Sequence, residues 1–236
     1  MIPRLDGQVI VVGGGAGSVG RAVVDVLLFS GARVIVPVRN EAVAERFYLA
    51  VDAETVPRLR TAVGEFNDPA MPRRIAAVAR REFGGLDHLV SAIGTPPIGW
   101  LNGLDADGVQ HAVESNVSAP ARFILGLLPH LNGGAPVKRV VAVTATPGLE
   151  QGGRPDAWSL GRSFLEGLIQ LLREPGRPGM EFYALRVPRL RTAAATAAGA
   201  APAGPLAGPE VAGYGVARLL AEGAGTAIVE AGALPR

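Results

Sequence analysis

Apolar positions along this chain switch between two periods. Val9-Ile10-Val11-Val12 is a short continuous apolar run, and a glycine cluster breaks it. From Arg21 to Leu28 apolar residues return at helical spacing. A β-branched run bounded by glycine predicts a buried strand, and the 3.6-residue period after it predicts a helix. The same exchange repeats down the chain. Strands are expected at Val34–Val38, Thr61–Phe66, His88–Ile93, Val137–Thr144, Met180–Val187 and Thr226–Val229. Helices are expected at Glu41–Leu49, at Ala70–Phe83 with Asn67-Asp68-Pro69 as its cap, and as one long element at Asp105–Leu131. Two more follow, from an Asp156 cap to Glu174 and from Pro209 to Leu220. Regular alternation of this kind predicts an α/β chain, a single Rossmann-type doubly wound parallel sheet of about seven strands with helices on both faces. No repeat or linker divides residues 1–236, so one domain is expected. Residues 192–209 are almost all Ala, Gly, Pro and Thr and predict a mobile loop.

Composition narrows the functional classes. Hydrophobic residues make up 48% and charged residues 19%, values of a chain that buries a core rather than a disordered one. There is no cysteine, so disulfides and thiolate chemistry are excluded. No basic stripe with interleaved aromatics occurs, which argues against nucleic acid as a partner. No apolar run approaches about 18 residues, so no membrane helix is expected. The first strand begins within ten residues of Met1, which leaves no room for a signal peptide and predicts a cytoplasmic protein. The histidines, His88, His111 and His130, are too scattered for a metal site, and no His/Asp/Glu cluster has ligand spacing, so no metal is expected.

The strand–glycine–helix stretch Val9–Gly20 carries the main chemical signal. Glycines at such a turn allow a sharp bend, close approach to a pyrophosphate and tight packing of helix on strand. The helix N-terminus then offers free N–H groups to phosphate. Two registers fit. Gly14, Gly17 and Gly20 read as G-x-x-G-x-x-G; Gly14, Ser18 and Gly20 read as G-x-x-x-S-x-G. The first is preferred because it needs no substitution, and Ser18 and Val19 lie within the same cradle. The second strand ends without a carboxylate and is followed by Arg39, which favours a 2′-phosphate and therefore NADP over NAD.

The order of these signals resembles the short-chain dehydrogenase/reductase family over nearly the whole chain. Phe83-Gly84-Gly85-Leu86-Asp87 is similar to the family's turn into its fourth strand. Leu89-Val90-Ser91-Ala92-Ile93-Gly94 stands where the family has Asn-Asn-Ala-Gly, which puts Ala92 and Gly94 beside the cofactor. Ser115-Asn116-Val117 resembles the segment with the family's catalytic asparagine, and Glu65 stands where an acidic residue bonds the adenine amine. The resemblance implies hydride transfer between a nicotinamide and a carbonyl or alcohol. In that chemistry a tyrosine is the acid, a lysine four residues on lowers its pKa and holds the ribose, and a serine polarises the carbonyl.

Here the aligned helix reads Ala157-Trp158-Ser159-Leu160-Gly161-Arg162, so Trp158 takes the tyrosine position and Arg162 the lysine position. Ala145 takes the serine position, and Asn116 alone is retained. An indole N–H does not release its proton near neutral pH. Arg162 keeps the charge and remains a candidate for the ribose hydroxyls. Tyr48, Tyr183 and Tyr214 lie elsewhere, and Lys138 is the only lysine. Thr192 is the candidate for the carboxamide contact. The expected protein binds NADP(H) but is impaired in proton transfer, with a binding, sensing or partner-subunit role. The alternative is an active NADP-dependent reductase with a non-standard donor, and a weaker one is a structural subunit without cofactor. A homo-oligomer and a small apolar ligand are expected.

Overall fold

Seven of the apolar runs become the strands of one parallel sheet. In this computed structural model the described residues are 2–95, 105–145, 157–173, 178–188, 190–191 and 207–234, with the side chains of 157–160 outside that set. The strands are β1 (Val9–Gly13), β2 (Arg33–Val38), β3 (Leu59–Val63), β4 (His88–Ser91), β5 (Lys138–Ala145), β6 (Met180–Val187) and β7 (Ile228–Glu230). Their spatial order is β3-β2-β1-β4-β5-β6-β7. The chain therefore starts in the sheet centre, winds outward to β3, then crosses β1 and winds outward the other way. Such a reversal opens a crevice at the strand C-termini, where open α/β sheets bind their ligands.

The helices are α1 (Ser18–Phe29), α2 (Glu41–Ala50), α3 (Met71–Phe83), α4 (Ala106–Val113), α5 (Ala119–Leu127), α6 (Ala157–Leu172) and α7 (Glu210–Glu222). Strand alternation divides the core in two. Ile10, Val12, Val34, Val36, Val141, Val143 and Ala145 face α1, α2 and α7. Val9, Val11, Ile35, Leu89, Val140 and Ala142 face α3, α5 and α6. Both faces are covered, so the strands read as unbroken apolar runs.

β4 ends at Ser91 rather than Ile93, and β7 runs Ile228–Glu230 rather than Thr226–Val229. Three further differences have a visible physical reason. The third strand is Leu59–Val63 rather than Thr61–Phe66, because it pairs from Val34↔Leu59 to Val38↔Val63. The Gly64 N–H then bonds the Val38 carbonyl, and the chain turns away. The third helix starts at Met71, with Ala70 at its N-cap. Asp68 serves it from outside, accepting from the Ala70 N–H at 2.8 Å and pairing with Arg74 at 2.8 Å.

The expected single helix Asp105–Leu131 is the largest difference. It starts as expected, and Asp105 caps it by accepting from the Gly108 N–H at 2.8 Å. It is then broken by a π-helical turn at Glu114–Ser118 and closes in a 3-10 turn at Leu128–His130. Pro120 supplies the reason. It has no N–H to give the carbonyl four residues back, that of Asn116, and its ring crowds that carbonyl. The turn widens there.

Candidate functional site

The glycine turn after β1 is shaped by crowding. Gly14 has φ +75°, and a Cβ on it would lie 2.5 Å from the Ala92 carbonyl oxygen. A Cβ on Gly20 would run into the Gly14 carbonyl. Gly17, at the N-cap of α1, has φ −81° and meets only Gly14 O at 3.3 Å. The two glycines common to both registers are thus the ones the backbone demands, while Gly17 is nearly free. Gly17 and Ser18 are exposed, Val19 is half-buried, and the first turn of α1 carries no acidic residue. Exposed N–H groups at the positive end of a 12-residue helix suit an anion.

Beside this turn the edge of the sheet presents the expected binding residues. Arg39 is exposed directly after β2, with no hydrogen bond or ion pair among the described residues. Its neighbour Asn40 caps α2, accepting from the Val43 N–H at 3.0 Å. Glu65 is exposed after β3, and Ala92 is tied to β1 through the Gly13 carbonyl at 2.8 Å.

Further along, three elements meet. Gly94, exposed three residues past β4, lies against both Arg162 and Asn116. A Cβ there would fall on Arg162 Nη2 and 2.9 Å from Asn116 Oδ1. Asn116 sits in the π turn, buried, its Oδ1 accepting from the Thr95 N–H at 3.1 Å and its Nδ2 donating to the Ala112 carbonyl at 3.2 Å. Two hydroxyls join it: Thr95 Oγ1 lies 2.9 Å from Ser115 Oγ, which in turn donates to the His111 carbonyl at 2.7 Å. Gly161 of α6 packs on this turn so closely that a Cβ would lie 2.6 Å from the Asn116 carbonyl oxygen.

Arg162 is only 6% exposed and donates from Nη1 to the Val143 carbonyl at 2.6 Å. Burial pushes its pKa down to about 10, so it stays cationic at neutral pH. Ala145 ends β5, buried with the α1/α7 face of the core. Thr144 turns to the other face, as strand alternation requires, and bonds Glu166 at 3.1 Å. Glu166 is gripped at both oxygens by Arg186, at 2.8 and 2.9 Å. Trp158 lies in the first turn of α6, and its side chain is outside the described residues. Thr192, the loop 192–206, the stretch Pro96–Trp100 and the cap Asp156 also lie outside them.

The structure therefore brings Gly94, Asn116 and Arg162 together and sets Arg39 and Glu65 at the ends of adjacent strands. Sequence reading missed Thr95, Thr144, Glu166 and Arg186. Two signals were present: Glu166 stands among Leu165 and Ile169 on the apolar side of α6, and Arg186 interrupts an apolar strand. Among the described residues no cluster of His, Asp or Glu could hold a metal.

The short chain dehydrogenase family matches residues 8–198. The chain belongs to that family. Its members bind a nicotinamide dinucleotide, and an oxidoreductase fold of this kind is what the sheet order and crevice describe. Solved structures agree in fold. A short-chain dehydrogenase/reductase from Brucella melitensis superposes with a TM-score of 0.84 at 15% identity, over 98% of this chain and 96% of that one. A short chain dehydrogenase from Pseudomonas syringae gives 0.83 at 22% identity, over 98% and 97%. The short chain oxidoreductase from Pseudomonas aeruginosa PAO1, described as containing an atypical catalytic center, gives 0.80 at 18% identity over 99% of both chains. No curated protein matches the sequence. No described helix is long and apolar enough to cross a membrane.

Proposed function

We propose that this short-chain dehydrogenase binds NADP(H) at the strand C-termini and is impaired in proton transfer, so that it acts as a binding, sensing or partner-subunit protein in the cytoplasm. Arg162 carries this reading. It takes the family's lysine position, yet it is buried, bonded to the Val143 carbonyl and cationic at neutral pH. Its charge would still favour ionisation of a neighbouring acid, but the tyrosine position four residues back holds Trp158, so no such acid is there for it to tune. With Trp158 at the tyrosine position and Ala145 at the serine position, no group of these three has a proton to transfer at neutral pH. The loss of a general acid costs about 10²–10⁴ in rate.

The dinucleotide would lie with its pyrophosphate over Gly14, Gly17, Ser18, Val19 and Gly20 and its adenine near Glu65. Its 2′-phosphate would meet Arg39, and its nicotinamide end would reach Ala92, Gly94, Arg162 and Thr192. When bound, the nicotinamide supplies or accepts a hydride; the chain's own residues bind and orient it. A second reading, a reductase with a non-standard donor, is favoured by the Thr95–Ser115 hydroxyl pair beside Asn116. The P. aeruginosa neighbour is described as having an atypical catalytic center, in keeping with such an exception. Exposed Val109, Val113, Leu125, Phe164 and Leu171 on α4, α5 and α6 support a homo-oligomer.

Calorimetric titration with NADPH and NADH, followed by assays with simple carbonyls, tests the reading. Binding without turnover is expected. Carbonyl-dependent NADPH oxidation that survives Trp158→Phe and stops in Asn116→Ala would install the second reading instead. Absence of binding by either dinucleotide would leave a structural subunit. Arg39→Ala is expected to weaken NADPH about tenfold, the worth of one charge-assisted contact, and NADH hardly at all. An equal loss for both removes the NADP preference.

A further inference from the structure

Behind Gly94 the cleft is braced by an ion pair between buried Glu166 and half-buried Arg186. Helix α6 grips the end of β5 at two successive turns. Arg162 Nη1 donates to the Val143 carbonyl at 2.6 Å, and one turn later Glu166 Oε1 accepts from the Thr144 hydroxyl at 3.1 Å. Glu166 takes its second support from β6. Arg186 Nε meets Oε1 at 2.8 Å and Nη2 meets Oε2 at 2.9 Å, while Nη1 reaches Glu230 of β7 at 3.4 Å.

We propose that Glu166 and Arg186 are positioning residues for the bound dinucleotide. They touch no nucleotide and act only through Arg162, whose place beside Gly94 they fix. This assignment rests on the reading that the cleft holds a dinucleotide.

The physical argument is one of geometry rather than strength. Taking a carboxylate and a guanidinium out of water costs about as much as their attraction returns, so a buried pair is weak evidence of stability. A two-pronged guanidinium–carboxylate contact admits one relative orientation, which makes it a register pin. Glu166 and Arg162 are four residues apart and share one side of α6. A roll of α6 that moves Glu166 off Arg186 and Thr144 must also move Arg162 off the Val143 carbonyl. Arg162 Nη2 lies so near Gly94 that a Cβ there would clash with it, and Gly94 is exposed at the crevice. The pin therefore sets how far the guanidinium stands from the ribose side of the cleft.

Two probes separate this role from general support of the fold. NADPH spans the whole cleft. Adenosine 2′,5′-bisphosphate spans only the glycine turn and the Arg39 side. In Glu166→Gln, NADPH affinity is expected to fall about tenfold, the worth of one charge-assisted hydrogen bond, with bisphosphate affinity within about twofold of wild type. Thr144→Val leaves the ion pair in place and removes one rung; a smaller loss, about threefold for NADPH alone, is expected, since this hydrogen bond is long at 3.1 Å. Should Glu166→Gln not fold, Thr144→Val decides. Arg186→Lys keeps the charge without the two-pronged contact, and a loss for NADPH alone is expected there too. NADPH affinity unchanged in these variants, or an equal loss for both probes, overturns the assignment. Wild-type protein that binds the bisphosphate but not NADPH overturns it as well. Wild-type protein that binds neither probe removes the dinucleotide reading, and this assignment with it.

Discussion

The two edges of the sheet are built to opposite rules. At the N-terminal edge polar groups are answered inside the protein. The Asp87 carboxylate accepts from the Val9 N–H at 2.8 Å and the Ala135 N–H at 2.7 Å. His88 Nδ1 accepts from the Arg139 N–H at 3.0 Å and its Nε2 faces Gln8 Oε1 at 2.7 Å. Arg139 pairs with Glu181, which also takes the Tyr183 hydroxyl at 2.8 Å. At the C-terminal edge Gly17, Ser18, Arg39, Glu65 and Gly94 stand exposed. Parallel sheets keep function at strand C-termini and stability at the other end, and here the division is visible in which polar groups are left open. The instructive exception is the β5–α6 part of the C-terminal edge. With Thr144, Glu166, Arg186 and the Val143 carbonyl tied together, it is built like the N-terminal edge. A region expected to carry proton chemistry has the wiring of a structural one.

The comparison breaks most plainly if an N-terminal-edge residue proves to matter for binding. Asp87→Ala strands two N–H groups, one of them buried, and is expected to cost about 4 kcal/mol of stability at 1–3 kcal/mol per group. Urea denaturation measures that loss, and NADPH affinity of the folded fraction should stay within about twofold.

His88 sharpens the comparison through pH. Burial, reinforced by Arg139 and Lys138 against the opposing pull of Asp87, lowers its pKa from 6.5 to about 4. Since Nδ1 accepts a hydrogen bond, the neutral form is the one the fold needs. The unfolded chain takes up the proton first, so this contribution is intact above pH 6.5 and lost as pH falls toward 4. The slope approaches about 1.4 kcal/mol per pH unit within that window. His88→Asn keeps a neutral polar group without the titration. The gap between its stability curve and that of wild type should narrow on acidification; parallel curves would show that His88 is not the source.

A contrast within the glycine turn, whose smaller member is the smallest effect, sharpens the comparison further. Gly20→Ala forces a methyl into the Gly14 carbonyl and is expected to cost about 3 kcal/mol, the upper end for overpacking, together with nucleotide binding. Gly17→Ala should cost about 1 kcal/mol as a poorer helix cap. Equal losses at the two positions would show that Gly17 is as constrained as Gly20 and return weight to the register built on it.

Much of this was legible in the sequence because the deciding forces are local. Strand–glycine–helix periodicity and the crowding of Gly20 against Gly14 follow from neighbours a few residues apart, whereas Gly14 is crowded by the Ala92 carbonyl from beyond β4. The bounds of β3 did not, since its register comes from pairing with β2. The π turn at Asn116 was half legible: Pro120 was in view, but a proline inside a helix allows a break, a kink or a widening, and packing of Gly161 on that turn is a long-range contact. The grip of Glu166 on Thr144 and Arg186 was invisible, because those residues are 22 and 20 apart in the chain and meet only across the sheet.

By itself, then, the sequence determined the alternation of strands and helices, the glycine turn after the first strand and which residues stand at each strand end. Tertiary structure decided where those residues point and what they hold. A side chain's identity limits the protons it can give, whereas its partners are chosen by whichever strands and helices are packed beside it.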